Sequence, residues 1–437
     1  MTISVNKNRL LNRIEELSKI GQIGATGVCR LAHSKEDRQA VELVKRWFEE
    51  AGLQSRIDAF GNLIGTLRGK KPDAPILMLG SHIDSQPYGG RFDGVIGVLG
   101  ALETVQTFTE RGFVPEMPIQ VVAFADEEGC RFNKGLFGVR GILGKLEDGE
   151  LERTDKNGIT RRQALKEFGC SPDDFAVSEY KPGQIGSYLE MHIEQGPVLE
   201  AKGEPIGIVT GISGPIWLTV ELIGFAGHAG SVPMALRKDA LVGAAKIIAG
   251  LNELARSEEG APTVSTVGTL SVFPDSRNII PEKVVFSVDL RDIDLQRRNR
   301  MEEQLYQLIE RTASEHGLKY NISVDTKSDP RYCAESIMQT MRECAADMGL
   351  RVPELMSGPF HDALELSYVC DYGMIFVRCK DGISHNPAEF ADGDDIVLGT
   401  ELLYRTAMKM ASVKSGLKTK QYSSFALAKS EQEGEML

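Results

Sequence analysis

Paired cysteines and long apolar runs are scarce in this sequence. The 437 residues include seven cysteines, scattered without a C-x-x-C pair, which argues against a disulfide framework and against a cysteine-built metal site. No apolar run approaches the roughly 20 residues that span a bilayer. The N-terminal residues MTISVNKNRLLNRIEEL lack the apolar core of a secretory signal and are typical of an amphipathic helix. We therefore expect a cytoplasmic protein with no membrane partner.

Positive charge is also deficient. Lys and Arg total 50 against 62 Asp and Glu, and the formal net charge is −12. Nucleic acids and anionic membranes attract basic surfaces, so this balance argues against both as partners. A small anionic substrate would need a local cationic pocket. At this length two domains are the default expectation, because single cores rarely grow so large.

The first half of the chain alternates helix-like and strand-like segments. Residues 36–52 have apolar residues at helical spacing and end at a glycine. Three short apolar runs come next, Pro75–Gly80, Ile119–Ala125 and Ile185–Met191, with a helix-like segment over Gly94–Phe108. This alternation predicts an α/β fold, in which functional sites gather beyond the carboxyl ends of the strands.

The pattern changes near Gly211. Beyond this point the chain has a strand over 216–224, a helix over 239–256, strand-like VSTVGTLSVF and KVVFSVDLRD, and a helix over about 294–316. This order predicts a small α+β domain, residues 213–328, inserted into a larger domain made of 1–212 and 329–413. The larger domain includes a further buried strand, Gly373–Arg378.

The last residues differ in composition from both predicted domains. Residues 414–437 are rich in Lys, Ser, Gln and Glu, and such segments bury too little apolar surface to fold. We therefore expect a disordered tail.

Histidines and carboxylates follow the predicted strands. His82 emerges where the first apolar run ends, and Asp84 falls on the same side, where it could hold the imidazole N–H. Asp93 lies in a glycine-bracketed turn, GGRFDG, from which a carboxylate can reach back across the strand ends. A satisfied histidine and an aspartate helix cap would account for the same residues.

Three adjacent acids, Asp126, Glu127 and Glu128, follow the second run. At a buried strand end they would require a cation or raised pKa values, whereas on the surface they would form an ordinary solvated loop. The first interpretation is favoured because the preceding strand resembles the one before His82. Neighbouring acids point to opposite sides, so two of them could serve different roles.

His192 and His385 repeat the placement of His82, after the third run and after the late strand. Three histidines and two carboxylates, each just past a strand, form a nitrogen and oxygen ligand set suited to zinc, manganese, cobalt or nickel. The sequence therefore predicts a divalent-metal site at the carboxyl ends of the strands.

A further group of polar residues comes later in the chain. It comprises His228 in GHAG, Asn278 between two strands, Arg291 after FSVDL, and His361-Asp362 after SGPF. Without further information, ordinary structural roles are the favoured interpretation: a surface histidine, a turn asparagine, a solvated arginine and a helix cap.

Several segments together resemble one known family. They are GSHIDS, GGRFDG, DEEGCRF, EMHIEQGPVLE, GHAGSVP, RNIIPEKVVFSVDLRD and GISHNPAE. The set is similar to that of the dinuclear amidohydrolases in the M20 peptidase-like superfamily, and within it to N-carbamoyl-L-amino acid hydrolases, β-ureidopropionases and allantoate amidohydrolases. The resemblance covers residues 8–412, and HIEQG and GHAG are its most specific segments.

The resemblance implies a fold and an assembly. The larger predicted domain would be a dinuclear-metallohydrolase catalytic domain, and the insert an α+β, ferredoxin-like lid and dimerisation domain. Family members are homodimers through this domain, so some substrate contacts could come from the partner chain. The implied activity is hydrolysis of an N-carbamoyl-L-amino acid to the L-amino acid, CO2 and ammonia by a metal-activated water.

The resemblance also assigns residues. One of two divalent ions would be bound by His82 and His192, the other by Glu128 and His385, with Asp93 bridging. Glu127 would be the general base, with Asp84 supporting His82. The small anionic ureido substrate would contact Gln195, Asn278, Arg291 and His361, with His228 stabilising the tetrahedral oxyanion.

The chain departs from the family pattern in places. Pro359 and Phe360 stand where relatives have Ala-Gly, which puts substrate size in doubt; Ser231 replaces a frequent Thr, and Arg277 could add an anion contact. Allantoate or β-ureidopropionate are alternative substrates for the same machinery, and an aminopeptidase is a further alternative. A catalytically silent, metal-stabilised binding protein is another, but the intact ligand set and Glu127 argue against it.

Overall fold

The computed structural model describes residues 2–412, which form two compact units. Unit 1 contains the residues up to Thr210, Cys333–Leu355 and the residues from His361 onward, and unit 2 contains Gly211–Tyr332 and Met356–Phe360. Nothing in the sequence predicted that residues 356–360 belong to unit 2. The catalytic and lid roles predicted for the two domains stay predictions, and the predicted tail, 414–437, lies outside the described residues.

The elements are numbered along the chain. The strands are β1 Gln22–Ile23, β2 Gly27–Val28, β3 Gln54–Ile57, β4 Leu63–Leu67, β5 Ile76–His82, β6 Ile119–Phe124, β7 Ile185–Ile193, β8 Ile206–Ile212, β9 Gly214–Ile223, β10 Val264–Thr266, β11 Leu270–Phe273, β12 Lys283–Asp292, β13 Lys319–Lys327, β14 Arg331–Tyr332, β15 Glu354–Ser357 and β16 Asp371–Val377. The α-helices are α1 Lys7–Ser18, α2 Lys35–Glu50, α3 Val95–Glu110, α4 Phe137–Ile142, α5 Arg161–Phe168, α6 Val198–Lys202, α7 Ala240–Ala255, α8 Leu295–His316, α9 Glu335–Asp347, α10 Asp362–Leu366 and α11 Gly393–Ala411. Within residues 2–412, no helix combines the length and the apolar character needed to cross a bilayer.

The sheet of unit 1 has the strand order β8-β16-β7-β5-β6-β4-β3, with β15 beside β8. The central strands β16, β7, β5 and β6 are parallel to one another. Strands β8 and β4 pair antiparallel at the two flanks. The parallel strands are almost wholly buried, and α3 packs against β5 and β7. Because the carboxyl ends of parallel strands meet at one edge, side chains that end or follow these four strands gather there.

The predicted strands of unit 1 are present, but two of them run further than expected. β5 continues to His82 and β7 to Ile193, so His82 and His192 belong to their strands instead of following them. The ladder continues because backbone pairing does not depend on apolar side chains: His82 still pairs with Phe124, and His192 with Phe376. The fold is therefore mixed α/β.

Unit 2 is an antiparallel sheet with the order β10-β12-β9-β13, and β11 also pairs with β12. One face packs on α7 and α8, where Ile216, Leu218 and Val220 alternate inward along β9. The segment VSTVGTLSVF is two strands and not one, because Thr266 faces Asp289 whereas Leu270 faces Phe286, a shift of one residue in the register. Strand β13 was not predicted because its side chains are mostly exposed and carry little apolar pattern.

Candidate metal centre

The centre of the candidate site is the carboxylate of Asp93, in the turn before α3. Its Oδ1 lies 3.5 Å from Nε2 of His82 and 3.2 Å from Nε2 of His192. Its Oδ2 lies 3.4 Å from Nε2 of His385. Burial alone would raise the pKa of Asp93, but the imidazoles of His192, His385 and His82 hold it well below its ordinary value. One carboxylate therefore faces histidines on both sides, as a bridging ligand would.

Gly94 allows this turn to approach the strands. It is the residue before α3, with φ of 65°, and a Cβ at this position would lie 2.4 Å from Nε2 of His82. Any other residue would be strained in this conformation and would push His82 away. Asp93, the residue before Gly94, does not cap α3, because no side chain forms a capping hydrogen bond at the start of this helix.

The acids after β6 separate, but not by the expected strand alternation, because Asp126 has a left-handed backbone conformation with φ of 55°. Asp126 turns away and pairs with Arg161 at 2.8 Å, both side chains being fully buried. Oε2 of Glu127 lies 3.7 Å from Nε2 of His82, and Oε2 of Glu128 lies 3.5 Å from Nε2 of His385. Burial raises the pKa of Glu127 well above its ordinary value, and burial together with the charge of Asp93 raises the pKa of Glu128 to about 7. Two of the three acids thus face the histidines.

Backbone carbonyls orient the two strand histidines. Nδ1 of His82 lies 3.1 Å from the carbonyl oxygen of Asp84, and Nδ1 of His192 lies 2.9 Å from that of Ile193. A carbonyl can only accept, so each Nδ1 carries a proton and each Nε2 is the ring nitrogen that faces the cluster; that of His192 accepts the N–H of Gly94 at 3.1 Å. The carboxylate of Asp84 lies at the imidazole as expected, with Oδ1 3.6 Å from Nδ1 of His82, and it also accepts the backbone N–H groups of Glu127 and Glu128.

Three residues around Asp93 hold its second oxygen and its backbone. Nε2 of Gln195 and the hydroxyl of Ser384 each donate to Oδ2 at 2.7 Å. The buried carboxylate of Glu389 accepts the N–H groups of Phe92 at 2.9 Å and of Asp93 at 3.1 Å. Sequence reasoning missed Ser384 and Glu389, although both lie in the GISHNPAE segment whose histidine it selected.

A second group of side chains lies behind His192. The ring of His361 is 4.5 Å from that of His192, and burial lowers the pKa of His361 well below its ordinary value. Glu190 was not assigned a role from the sequence, yet it is buried beside them and accepts the hydroxyl of Ser81 at 2.7 Å and the N–H of Ala363 at 3.1 Å. The sequence feature that could have identified Glu190 is its position two residues before His192, which places both side chains on the same face of the buried strand β7.

The donor set fits divalent metal ions. Three groups have ligand atoms within 4.8 Å of one another: His82, Asp93 and His192; Glu190, His192 and His361; and Asp93, Glu128 and His385. Among residues 2–412, Asp93, Glu127 and Glu128 form ion pairs with histidines only, and with no lysine or arginine. Imidazole and carboxylate are the ligands of zinc, manganese, cobalt and nickel sites, and buried acids this close favour a cation. We name His82, Asp93, Glu127, Glu128, His192 and His385 the Asp93 cluster.

Unit 2 carries the other predicted residues at two separate places. His228 is exposed, and its Nδ1 accepts the N–H of Gly230 at 3.1 Å, so the neutral ring carries its proton on Nε2. Asn278 is beside it, since the backbone carbonyl oxygen of Asn278 accepts the N–H of Ala229 at 2.9 Å. Arg291 is bound elsewhere, by Asp289 through Nε and Nη2 and by the carbonyl of Gly358 through Nη1 at 2.8 Å.

The pairing of β9 with β12 shows how far Arg291 lies from His228 and Asn278 along the sheet. Lys283 pairs with Ile223 at the end of the sheet that leads to His228, and Arg291 pairs with Pro215 at the other end. Eight residues of strand separate the two pairs, a distance of roughly 26 Å. Within one chain, unit 2 therefore does not bring Arg291 together with His228 and Asn278.

A mixed α/β fold with histidines and carboxylates grouped at the carboxyl ends of parallel strands defines a class of protein, one suited to hold divalent ions at a sheet edge. The chain belongs to Peptidase family M20/M25/M40, whose model matches residues 78–409, and the predicted family is thereby confirmed.

Individual relatives extend the match over nearly the whole chain. It is 48% identical to an N-carbamoyl-L-amino-acid amidohydrolase of Pseudomonas sp. (strain NS671), over 93% of this chain and 99% of that protein. It is 33% identical to an allantoate deiminase of Arabidopsis thaliana, over 90% and 80%. A crystal structure of an amidase of the hydantoinase/carbamoylase family from Burkholderia multivorans superposes with a TM-score of 0.88 at 35% identity, covering 94% of this chain and all of that one.

Proposed function

We propose that this protein hydrolyses N-carbamoyl-L-amino acids to the L-amino acid, CO2 and ammonia. The observation that carries the proposal is the Asp93 carboxylate, shared between His82 and His192 on one side and His385 on the other. The similarity to an amidohydrolase of that name, at 48% identity over nearly the full length of both chains, supports the substrate.

Two divalent ions per chain, drawn from zinc, manganese, cobalt or nickel, are the cofactors we propose. His82 and His192 would hold one, Glu128 and His385 the other, and Asp93 both. Ions held there supply Lewis acidity, which matters because the two nitrogens flanking a carbamoyl carbonyl make it a poor electrophile. The bound ions also offset the repulsion among the buried acids of the Asp93 cluster.

Glu127 is the general base in this proposal. Among the described residues its carboxylate pairs only with His82, at 3.7 Å, whereas Glu128 is engaged by both His385 and Gln86. Glu127 is thus the acid of the cluster that is free to take a proton from water at Oε2 and to return it to the leaving nitrogen. Asp84 supports it, because its carboxylate accepts the backbone N–H of Glu127 at 3.2 Å.

Gln195 fits a carbamoyl group. Its Nε2 is used by Asp93, but its buried Oε1 has no hydrogen-bond partner among the described residues. A buried acceptor without a partner is costly, and the NH2 of a carbamoyl group is a donor that would satisfy it. We propose that Gln195 receives this NH2 group and that His361, against His192, is a further substrate contact.

Arg291 supplies the cationic contact for the substrate carboxylate in this proposal. A guanidinium has five N–H donors, and the contacts with Asp289 and Gly358 use one each on Nε, Nη1 and Nη2. Nη1 and Nη2 each keep a donor without a partner among the described residues. We propose that these two N–H groups bind the substrate carboxylate.

We propose a homodimer because Arg291 lies far from His228 and Asn278 within unit 2. An N-carbamoyl amino acid is far shorter than the roughly 26 Å of strand between Arg291 and the His228–Asn278 corner. One chain therefore cannot offer both to one substrate molecule. We propose that residues 213–328 form the lid and dimerisation domain of a ferredoxin-like type, with His228 Nε2 and Asn278 completing the site of the partner subunit. We also propose a cytoplasmic location, which fits the free state of all seven cysteines.

Allantoate and β-ureidopropionate are the second candidate substrates. The 33% identity to an allantoate deiminase favours considering them, because both compounds carry a carboxylate and a ureido group. They would use the same Asp93 cluster with a differently placed carboxylate.

Ammonia release by metal-reconstituted protein tests the proposal. The substrates are N-carbamoyl-L-methionine, N-carbamoyl-D-methionine, β-ureidopropionate and allantoate, with Glu127→Gln protein in parallel. Release from the L-carbamoyl compound alone, lost in the variant, is the expected result. Preference for allantoate or β-ureidopropionate would replace the substrate, and no ammonia from a protein shown to hold two ions would refute the reaction.

A further inference from the structure

Arg291 is surrounded by a specific set of side chains on the open face of the unit 2 sheet. Trp217 is directly opposite Asp289 across β9 and β12, and Arg291 is two residues further on the same face. The guanidinium carbon lies 5.9 Å from the centre of the Trp217 ring and 5.8 Å from that of Phe360. Two aromatic rings and one carboxylate therefore border this arginine.

The rings are not buried by the unit 2 core. The residues that pack on α7 and α8 are the neighbours of opposite orientation, such as Ile216, Leu218 and Leu290. Trp217 remains 38% exposed, and Phe360 is half-buried. Their contact with Arg291 orients the guanidinium by cation–π attraction and leaves apolar ring surface beside its two remaining donors.

The geometry of an amino acid places its side chain at these rings. The side chain and the carboxylate share the α-carbon, so when the carboxylate binds a guanidinium the side chain begins only about 5 Å from the guanidinium carbon. A group of three or more carbons is then long enough to contact a ring whose centre lies less than 6 Å from the same carbon. Glycine has no such group and would leave both rings in water.

We infer that Trp217 and Phe360 determine specificity, and that the preferred substrates are N-carbamoyl-L-amino acids with aromatic or large aliphatic side chains. The inference rests on the proposed function, because it takes Arg291 as the carboxylate anchor. Asp289 extends it: with Oδ2 at 2.8 Å from Nη2, it repels a second carboxylate, so acidic side chains are disfavoured. Phe360, which departs from the family pattern, thus serves as a wall of the side-chain pocket and does not fill it.

Direct binding provides the first test. The chain has two tryptophans, Trp47 and Trp217, and Trp47 is buried in the core. Metal-loaded Glu127→Gln protein is titrated with N-carbamoyl-L-phenylalanine, N-carbamoylglycine and N-carbamoyl-L-aspartate by calorimetry and by tryptophan fluorescence. We expect the phenylalanine compound to bind about tenfold more tightly than the other two, with a change in emission that Trp217→Phe abolishes. Equal affinities, or binding without a change in emission, would overturn the inference.

Turnover by Phe360→Ala protein provides the second test. The ratio of kcat/KM for N-carbamoyl-L-phenylalanine to that for N-carbamoylglycine should fall about tenfold, and a ratio is insensitive to partial unfolding. Tyr368→Ala is the matched control, because its ring contacts Nζ of Lys145 at 4.1 Å in unit 1 and should leave the ratio unchanged. A ratio that rises in Phe360→Ala would show that the ring fills the pocket.

The two tests separate this inference from the proposed function. Hydrolysis of both compounds without a binding preference would retain the reaction and reject Trp217 and Phe360 as specificity residues. A binding preference in a protein that releases no ammonia would retain those residues and reject the reaction.

Discussion

The carboxylate of Asp93 depends on residues that do not face the histidines. Glu389 accepts two backbone N–H groups of the turn, and Ser384 donates to Oδ2. Such supporting contacts orient ligands, and their loss typically costs ten- to a hundredfold in metal affinity. We therefore predict that Glu389→Ala weakens binding of divalent ions by about tenfold or more, measured by competition with a chromophoric chelator.

The control for this prediction is Glu335→Ala. Glu335 is an exposed glutamate that pairs with Arg342 on α9, and its removal should leave metal affinity unchanged. Equal affinities in the two variants would mean that Glu389 does not position Asp93.

We predict that His33, which lies outside every motif, contributes to stability in a pH-dependent way. Burial lowers its pKa to about 4, while Nε2 lies 3.1 Å from the carbonyl oxygen of Phe60. Between pH 6.5 and 4 the unfolded chain binds a proton at His33 that the folded chain does not. Its contribution to stability is therefore present above pH 6.5 and is lost as the pH falls toward 4, by about 3 kcal/mol.

Replacement of His33 isolates this effect. Urea unfolding of wild type and His33→Gln at pH 7 and pH 4.5 should show the wild type losing stability relative to the variant as the pH falls. The same difference in unfolding free energy at both pH values would show that His33 titrates normally in the folded chain.

Buried ion pairs join the turn after β6 to the start of α5. Arg161, the first residue of α5, pairs with Asp126 at 2.8 Å and with Glu150 at 2.7 Å, all three being buried. Removing one partner of a buried pair leaves an uncompensated charge. We predict that Arg161→Met lowers the free energy of unfolding by about 3–5 kcal/mol, and that adding Asp126→Asn recovers part of the loss.

The neighbouring residue provides the control. Arg162 pairs with Glu152 and Asp173 on the surface, so Arg162→Met should change the unfolding free energy by no more than about 0.5 kcal/mol. An equal loss of unfolding free energy in Arg161→Met and Arg162→Met would show that burial of the Arg161 pairs does not determine their contribution to stability.

The sequence predicted elements whose burial leaves an apolar pattern, and missed those without one. The central strands were found because both of their faces are buried, and His82, Glu127 and His192 were found because they end or follow those strands. Strand β13 is mostly exposed and was not found. Ser384 and Glu389 act on backbone and carboxylate atoms of a turn some 290 residues away in the chain, and spacing in the sequence carries no record of such contacts.

The proposed homodimer makes a prediction at the scale of the whole molecule. If His228 serves the partner's site, Glu127→Gln and His228→Ala proteins are each inactive alone. After joint refolding or co-expression, half of the dimers are mixed, and each mixed dimer has one site with both residues intact, so activity should return to about a quarter of wild type. Continued absence of activity, with mixed dimers demonstrated by mass, would place His228 in the site of its own chain, and activity of the His228→Ala protein alone would place it outside any site.

The position of β16 has a consequence for the synthesis of this protein. β16 lies between β8 and β7 in the sheet, yet it is the last strand in the described part of the chain, and His385 follows it. A ribosome therefore completes Gly211–Tyr332 of unit 2 before it releases the strand that closes unit 1. Until then β7 and β8 have open edges, and long-range pairing of this kind is slow to form and exposed to aggregation. The nascent chain depends on the residues from β16 onward for both its sheet and its metal centre.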